Sequence, residues 1–281
     1  MTEKKLLSVV IPCRNQGQIL GTTLSEIEEY NKKLDYGIEI IVSDGNSDDN
    51  TPEILKEFSK KHSNLEYFEE KLTLKGEHGK GNGLKQGIAK TKGDLVMFMD
   101  ADNSTKFREI LKLIKYIDEY DVVIGTRYSD KIAEPEQNWF KAFTLAFKDV
   151  LDVILFGNAK RYKAIGKQGK WRQFVSRGGN LAFTVLLGQS FTDSRCGFKL
   201  FKGALAREIF SKVTIPKWGF DTEVLVMAKK YNVRIIEVPV EWYDETEATN
   251  VNLKETLLSF VEIIQIRINL IKGRYSRKKV L

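Results

Sequence analysis

The chain has 281 residues with 45 Lys+Arg against 38 Asp+Glu, a formal charge of +7, 42% hydrophobic and 30% charged residues, 21 Gly and only 5 Pro. This excludes a disordered, collagenous or low-complexity chain and leaves a folded protein of enzyme size with a substantial core. No apolar run reaches the roughly 18–20 residues that cross a bilayer, and Cys13 and Cys196 make no disulfide scaffold, so a reducing, cytoplasmic setting is expected.

The first half alternates apolar runs with helix-like segments. LLSVVIP (6–12) reads as a buried strand; it is too short for a secretory segment and ends in Pro12 and Arg14 without a cleavage site. A helix is predicted over 19–31, a strand over 38–44, and then a helix capped by Thr51 with Pro52 at its first position. A short strand over 64–68, LVMFMD (95–100), a helix over 106–120 and DVVIG (121–125) complete the pattern. Strands alternating with helices predict an α/β, doubly wound and mostly parallel sheet, with function at the carboxyl ends of its strands.

Beyond Arg127 the pattern changes. Trp139, Phe143, Phe147, Val150 and Ile154 recur at helical spacing, as do Leu257, Val261, Ile264, Ile268 and Ile271. Each stripe leads into a basic stretch: 160–177 holds seven Lys/Arg and no acid, and 264–281 holds six and none. Without those two stretches the chain is slightly acidic. That distribution points to phosphate- or membrane-facing segments and away from a nucleic-acid binder. Such helices either pack into the core with solvated ends or lie on an anionic membrane surface.

The familiar nucleotide motifs fail. GKGNG (79–83) lacks the third glycine of a dinucleotide fingerprint, and no Gly-Lys pair is followed by Ser or Thr as a phosphate-binding loop requires. The acidic loop after Asp44 fails as a calcium hand, because Asp49 takes the glycine position and Leu55 the glutamate position. What remains is Asp100-Ala101-Asp102 directly after a buried strand. In extended geometry these carboxylates share one side and can converge on a hard divalent cation that grips a nucleotide diphosphate. Such pairs elsewhere cap helices or bind water.

SVVIPCRNQGQIL, IIVSDGNSDDNTPEIL, GKGNGLKQGIAKTKGDLVMFMDAD and DVVIGTRY are similar, in order and spacing, to the amino-terminal halves of inverting GT-A-fold family 2 glycosyltransferases. WRQFVSRGGNLAF, TDSRCGFKLF, KWGFDTEVL and VPVEW narrow the resemblance to the branch that acts on polyprenyl phosphates, the dolichyl-phosphate glucosyl- and mannosyltransferases. The likeness implies that Pro12, Asn15 and Asp44 line the nucleoside pocket with Lys80 nearby, and that Asp100 and Asp102 hold magnesium or manganese. It implies that Arg127, Arg172, Ser176 and Lys199 bind the acceptor phosphate; Arg172 and Ser176 are four apart and so share a helix face. Lys199 stands where the mannose synthases have an arginine, keeping the charge and losing the fork. Asp193 and Asp221 match acidic positions near the reacting centre, with turn and helix-cap roles as their structural alternatives.

The resemblance predicts transfer of a sugar, glucose as first choice, from a UDP-sugar to a polyprenyl or dolichyl phosphate with inversion. A phosphate acceptor is already anionic and needs positioning more than a base; His62 and His78 form no Ser/His/Asp arrangement. The alternatives are a family 2 enzyme acting on a glycan or diacylglycerol hydroxyl, which needs Asp193 or Asp221 as base, and a non-catalytic membrane-binding module. The expected organisation is a catalytic unit over 1–242 with an inserted helical segment at 131–170. An amphipathic basic helix over 243–281 follows, and the enzyme is peripheral on the cytoplasmic face of a membrane.

Overall fold

Strands covered on both faces read as near-continuous apolar runs, and the runs at 6–12, 38–44 and 95–98 become three adjacent strands of one sheet. The computed structural model describes residues 4–73, 76–127, 131–156, 178–179, 181, 183–188, 191–243 and 253–277. In chain order these form β1 (Leu6–Cys13), α1 (Leu20–Asn31), β2 (Gly37–Asp44), α2 (Thr51–Lys61), β3 (Leu65–Glu69), α3 (Lys80–Lys90) and β4 (Leu95–Phe98). After a broken helix come β5 (Val122–Thr126), α5 (Trp139–Phe156), β6 (Lys199–Lys202), α6 (Gly203–Ser211), α7 (Phe220–Lys230), β7 (Ile235–Pro239) and α8 (Leu253–Ile271). The sheet runs β3-β2-β1-β4-β6-β5-β7, with β6 antiparallel to both neighbours and every other pairing parallel.

Register brings the chemistry to one edge. Cys13 pairs with Asp44 and Asp44 with Glu69, while Val10 pairs with Phe98, which sets Asp100 level with Pro12. Because β6 runs the other way, it begins at that same edge, with Lys199 opposite both Phe98 and Ile124. The strand order reverses between β1 and β4, the position at which open α/β sheets bind ligands. Alternate side chains feed two cores, Val10, Val96 and Ile124 on one face and Val9, Ile11 and Val123 on the other.

Several elements depart from the sequence reading. Thr51 is the first residue of α2 and not its cap; its N–H and hydroxyl both donate to the Asp49 carboxylate, at 2.9 and 2.5 Å. The predicted helix over 106–120 is a 3₁₀ turn, a single α-turn (α4, Ile110–Leu113) and a second 3₁₀ turn. Its buried Phe107, Ile110 and Leu113 repeat every third residue, which is the 3₁₀ period.

Both late apolar stripes form helices, and both face outward. On α5 the buried residues are Ala142, Ala146, Asp149 and Asp152, while Trp139, Phe140, Phe147, Ile154 and Leu155 are exposed. On α8 Ile263, Ile266 and Asn269 pack inward, and Val261, Ile264, Ile268 and Ile271 are exposed, Ile271 by 74%. Among the described residues no helix is long and apolar enough to cross a membrane.

Candidate active site

At the β1/β4 switch point lies a cleft of about 440 Å³ whose lining includes Pro12, Arg14, Ser43, Glu70, His78, Lys80, Asp100, Asp102 and Trp218. Lys80 opens α3, adding its charge to the positive end of a helix dipole. Its Nζ donates to Asp100 Oδ1 and lies 5.9 Å from the centroids of Trp218 and Phe220. Burial alone would lower the Lys80 pKa, but Asp100, Asp221 and Asp102 outweigh it and hold the ammonium above its usual value. Ser43 Oγ and His78 Nδ1 are buried at the cleft without a hydrogen-bond partner among the described residues, polar atoms that a ligand can satisfy.

Asp44 and Asn15 stand beside the cleft as a clasp that shapes its loops. Asp44 Oδ1 accepts from the Ser47 hydroxyl at 2.5 Å, Ser47 Oγ accepts from the Asn15 N–H at 2.8 Å, and Asn15 Oδ1 accepts from the Asp48 N–H at 3.0 Å. Asn15 adopts φ +53°, a left-handed conformation that asparagine tolerates. Glu70, just past β3, accepts from the Gly79 N–H at 3.1 Å and from Asn82 Nδ2 at 2.6 Å, tying the start of α3 to the cleft wall. Sequence reasoning missed Glu70, Arg14 and Trp218; for Glu70 the signal was its place at a strand's carboxyl end.

Asp100 and Asp102 line the same cleft, and Asp102 Oδ1 accepts from the Ser104 N–H at 3.0 Å. Among the described residues no group of three or more His, Cys, Asp or Glu could hold a metal ion. Two hard carboxylates do suit magnesium or manganese in a nucleotide site, where the remaining donors are water and diphosphate oxygens. Two glycines of GEHGKGNG serve packing: a Cβ at Gly79 would fall 2.4 Å from the Pro216 carbonyl oxygen, and one at Gly81 2.5 Å from that of Ile215.

The segment Asp193–Lys199 threads the second half of the site. At its start Asp193 receives Arg127 as a fork, Nε to Oδ2 at 2.7 Å and Nη2 to Oδ1 at 2.9 Å, and the Arg127 N–H adds a third bond at 3.0 Å. Burial pushes the Asp193 carboxyl up, but the Arg127 charge and hydrogen bonds outweigh it and hold it below the usual carboxylate range. In the middle, a Cβ at Gly197 would fall 2.1 Å from Asp100 Oδ2, so glycine there lets the segment pass against the metal-type carboxylate. At its end Lys199 is fully buried, donating to the Cys196 carbonyl at 2.5 Å and to Asp221 Oδ1.

Lys199, expected at an acceptor phosphate, therefore neutralises Asp221, which is itself only 3% exposed and is pushed up by burial. Asp221 is not a surface cap of α7 but one half of an interior ion pair. Its neighbour Glu223 accepts from the Thr214 and Ile215 N–H groups at 2.9 Å, a structural role. Arg172 and Ser176 lie outside the described residues.

The Glycosyl transferase family 2 model matches residues 8–205. A dolichyl-phosphate beta-glucosyltransferase of Dictyostelium discoideum is 27% identical over 97% of this chain and 77% of its own length. The protein of that name from Saccharomyces cerevisiae is 26% identical over 99% and 78%. Among solved structures, mannosyl-3-phosphoglycerate synthase from Rubrobacter xylanophilus superposes with a TM-score of 0.59 at 17% identity, covering 99% of this chain and 78% of that one. Glucosyl-3-phosphoglycerate synthase from Mycobacterium tuberculosis, in complex with Mn2+, UDP and glucosyl-3-phosphoglycerate, gives 0.57 at 16%, covering 98% and 82%. These structural likenesses carry the fold, which is GT-A, and the family match carries the rest: the chain belongs to glycosyl transferase family 2, the glycosyltransferases that the sequence blocks resemble.

Proposed function

We propose that this enzyme transfers glucose from UDP-glucose to the phosphate of a dolichyl or related polyprenyl phosphate, with inversion, giving a β-linked lipid-phosphate sugar. The observation that carries this reading is that Asp193 and Asp221, the two carboxylates that could serve as base for a hydroxyl acceptor, are both buried and committed to cations. Asp193, held ionised with both oxygens on Arg127, is a poor proton acceptor. An acceptor that arrives as an anion needs no such base. The names of the curated relatives support the same acceptor and sugar.

In this reading the lipid phosphate oxygen attacks the anomeric carbon and UDP leaves from the opposite side. Lys80 offers a charge to the diphosphate, and Arg127, with Arg172 and Ser176, orients the acceptor phosphate. Asp193 fixes the Arg127 fork, and Lys199 with Asp221 forms an interior ion pair whose carboxylate feels the Lys80 and Asp100 charges. Asp100 and Asp102 would hold magnesium or manganese, whose chemistry when bound is to neutralise the departing diphosphate. Incubation with a panel of nucleotide sugars and polyprenyl phosphate, followed by mass analysis of the lipids, should give a hexosyl phospholipid from UDP-glucose. Product only with a hydroxyl acceptor would overturn the reading.

The acceptor's chain lies in a membrane, and the exposed apolar faces of α5 and α8, each followed in sequence by a basic stretch, suit an anionic surface. We accordingly read the catalytic unit as residues 1–242, with 131–170 and 243–281 meeting the cytoplasmic face of a membrane. Paired Ile264→Glu and Ile271→Glu substitutions should reduce flotation with anionic liposomes severalfold at unchanged folding stability; undiminished flotation would remove α8 from the contact.

A further inference from the structure

On β7 side chains alternate between the two cores, Ile235 on one face and Ile236 and Val238 on the other. Glu237 occupies the Ile235 face, where the pattern calls for an aliphatic residue, and it is only 2% exposed. Its backbone is fixed twice, by pairing with Ile124 of β5 and by a bridge to Ala133. No arginine or lysine is paired with it by a salt bridge among the described residues. Its carboxylate instead accepts from two consecutive main-chain donors: the Thr192 N–H at 2.8 and 3.0 Å, and the Asp193 N–H at 3.1 Å.

We propose that Glu237 is a positioning residue for the acceptor phosphate, holding the Thr192–Asp193 backbone so that the Asp193 carboxylate keeps the Arg127 guanidinium at a fixed place. This rests on the reading of Arg127 as a phosphate ligand. The chain of contacts is continuous: carboxylate to main chain, the Asp193 carboxylate to the Arg127 Nε, Nη2 and main-chain N–H. The Arg127 guanidinium is also set by the Trp242 ring, 5.4 Å away, which follows β7 in the chain. So β7 supports the arginine from two sides, through Glu237 below and Trp242 beside it.

A carboxylate is suited to this place because Oε1 accepts from both N–H groups while Oε2 also faces the Thr192 N–H, and a neutral amide would set an NH2 donor against that N–H. Retaining an acid there is costly: burial pushes the Glu237 carboxyl up to about 7, with the Asp193 charge adding to the rise and the Thr192 and Asp193 donors opposing it.

The test is a double-mutant cycle on Glu237→Gln and Arg127→Lys, reading KM for polyprenyl phosphate and for UDP-glucose separately. Glu237→Gln should raise the KM for polyprenyl phosphate about tenfold, the worth of one charge-assisted hydrogen bond, and leave that for UDP-glucose unchanged. In the Arg127→Lys background it should add little, since both act on one contact. Multiplying effects, or an equal rise in both KM values, would overturn the proposal while Arg127 kept its role. An Arg127→Lys variant with unaltered KM for polyprenyl phosphate would overturn the phosphate reading itself. Should Glu237→Gln fail to fold, amide hydrogen exchange on the unmodified protein decides: Thr192 and Asp193 should exchange as slowly as core amides, and fast exchange at both overturns the proposal.

Discussion

Asp100 and Asp102 line the cleft, one half-buried and one exposed, whereas Asp193 and Asp221 are sealed in the interior, each paired with a cation. The open pair has partners that can be exchanged: Lys80 on Asp100, and the Ser104 N–H on Asp102. The sealed pair has none to spare. The difference separates two tasks, since a carboxylate that must meet an incoming cation or diphosphate has to remain reachable, and one that holds an arginine or lysine in register has to be immobile.

Mutation should expose that division. Lys199→Met leaves Asp221 as an interior charge without its hydrogen-bonded cation, so it should cost about 3–5 kcal/mol in urea unfolding, with much of the loss recovered by adding Asp221→Asn. A loss below 1 kcal/mol would mean that the pair is not sealed. Asp102→Ala should do the reverse: UDP release in the presence of polyprenyl phosphate should fall about 10²–10³-fold, while the unfolding midpoint stays put because the side chain is exposed. Full retention of turnover would remove Asp102 from the site.

Glu237 supplies a third, pH-dependent contrast. Its carboxyl moves from an ordinary 4.5 to about 7 on folding, so its penalty is absent below pH 4.5 and complete above 7. Relative to the parent, Glu237→Gln should therefore gain stability as pH rises through that window, by about 3 kcal/mol if the whole shift is released. A stability difference independent of pH would show that Glu237 is not buried as an acid.

The sheet's amino-terminal half was legible because buried parallel strands have no polar side to confuse the pattern, and because Asp44 and Asp100 mark where two of them end. Asp100 and Asp102, singled out at a strand's end, line one cleft with Pro12 and Lys80, which the family resemblance placed there, while Asn15 and Asp44 stand beside it. β6 was not legible: KLFK begins and ends with lysine, and nothing local says that Lys199 turns inward to a carboxylate from α7. Glu237 was hidden for a related reason. In IIEVP an acid between aliphatic residues reads as the solvent side of a strand, and only the long-range donors at 192 and 193 make it interior. Periodicity found the stripes on α5 and α8 but not which way they point, since a helix with apolar residues on two sides offers the core a choice. On α8 the core took Ile263 and Ile266.

The antiparallel course of β6 has an architectural consequence. β5 and β6 are neighbours, so everything from 127 to 198 is topologically the loop of a hairpin, closed at its neck by the Gly125 N–H on the Phe198 carbonyl at 2.8 Å and by the Arg127–Asp193 fork. Closing a loop costs only about 0.6 kcal/mol more for each doubling of its length. The exposed parts of this excursion can thus be lengthened or shortened with the sheet and its register left as they are, while Phe183, Leu187 and Phe191 anchor it to the core.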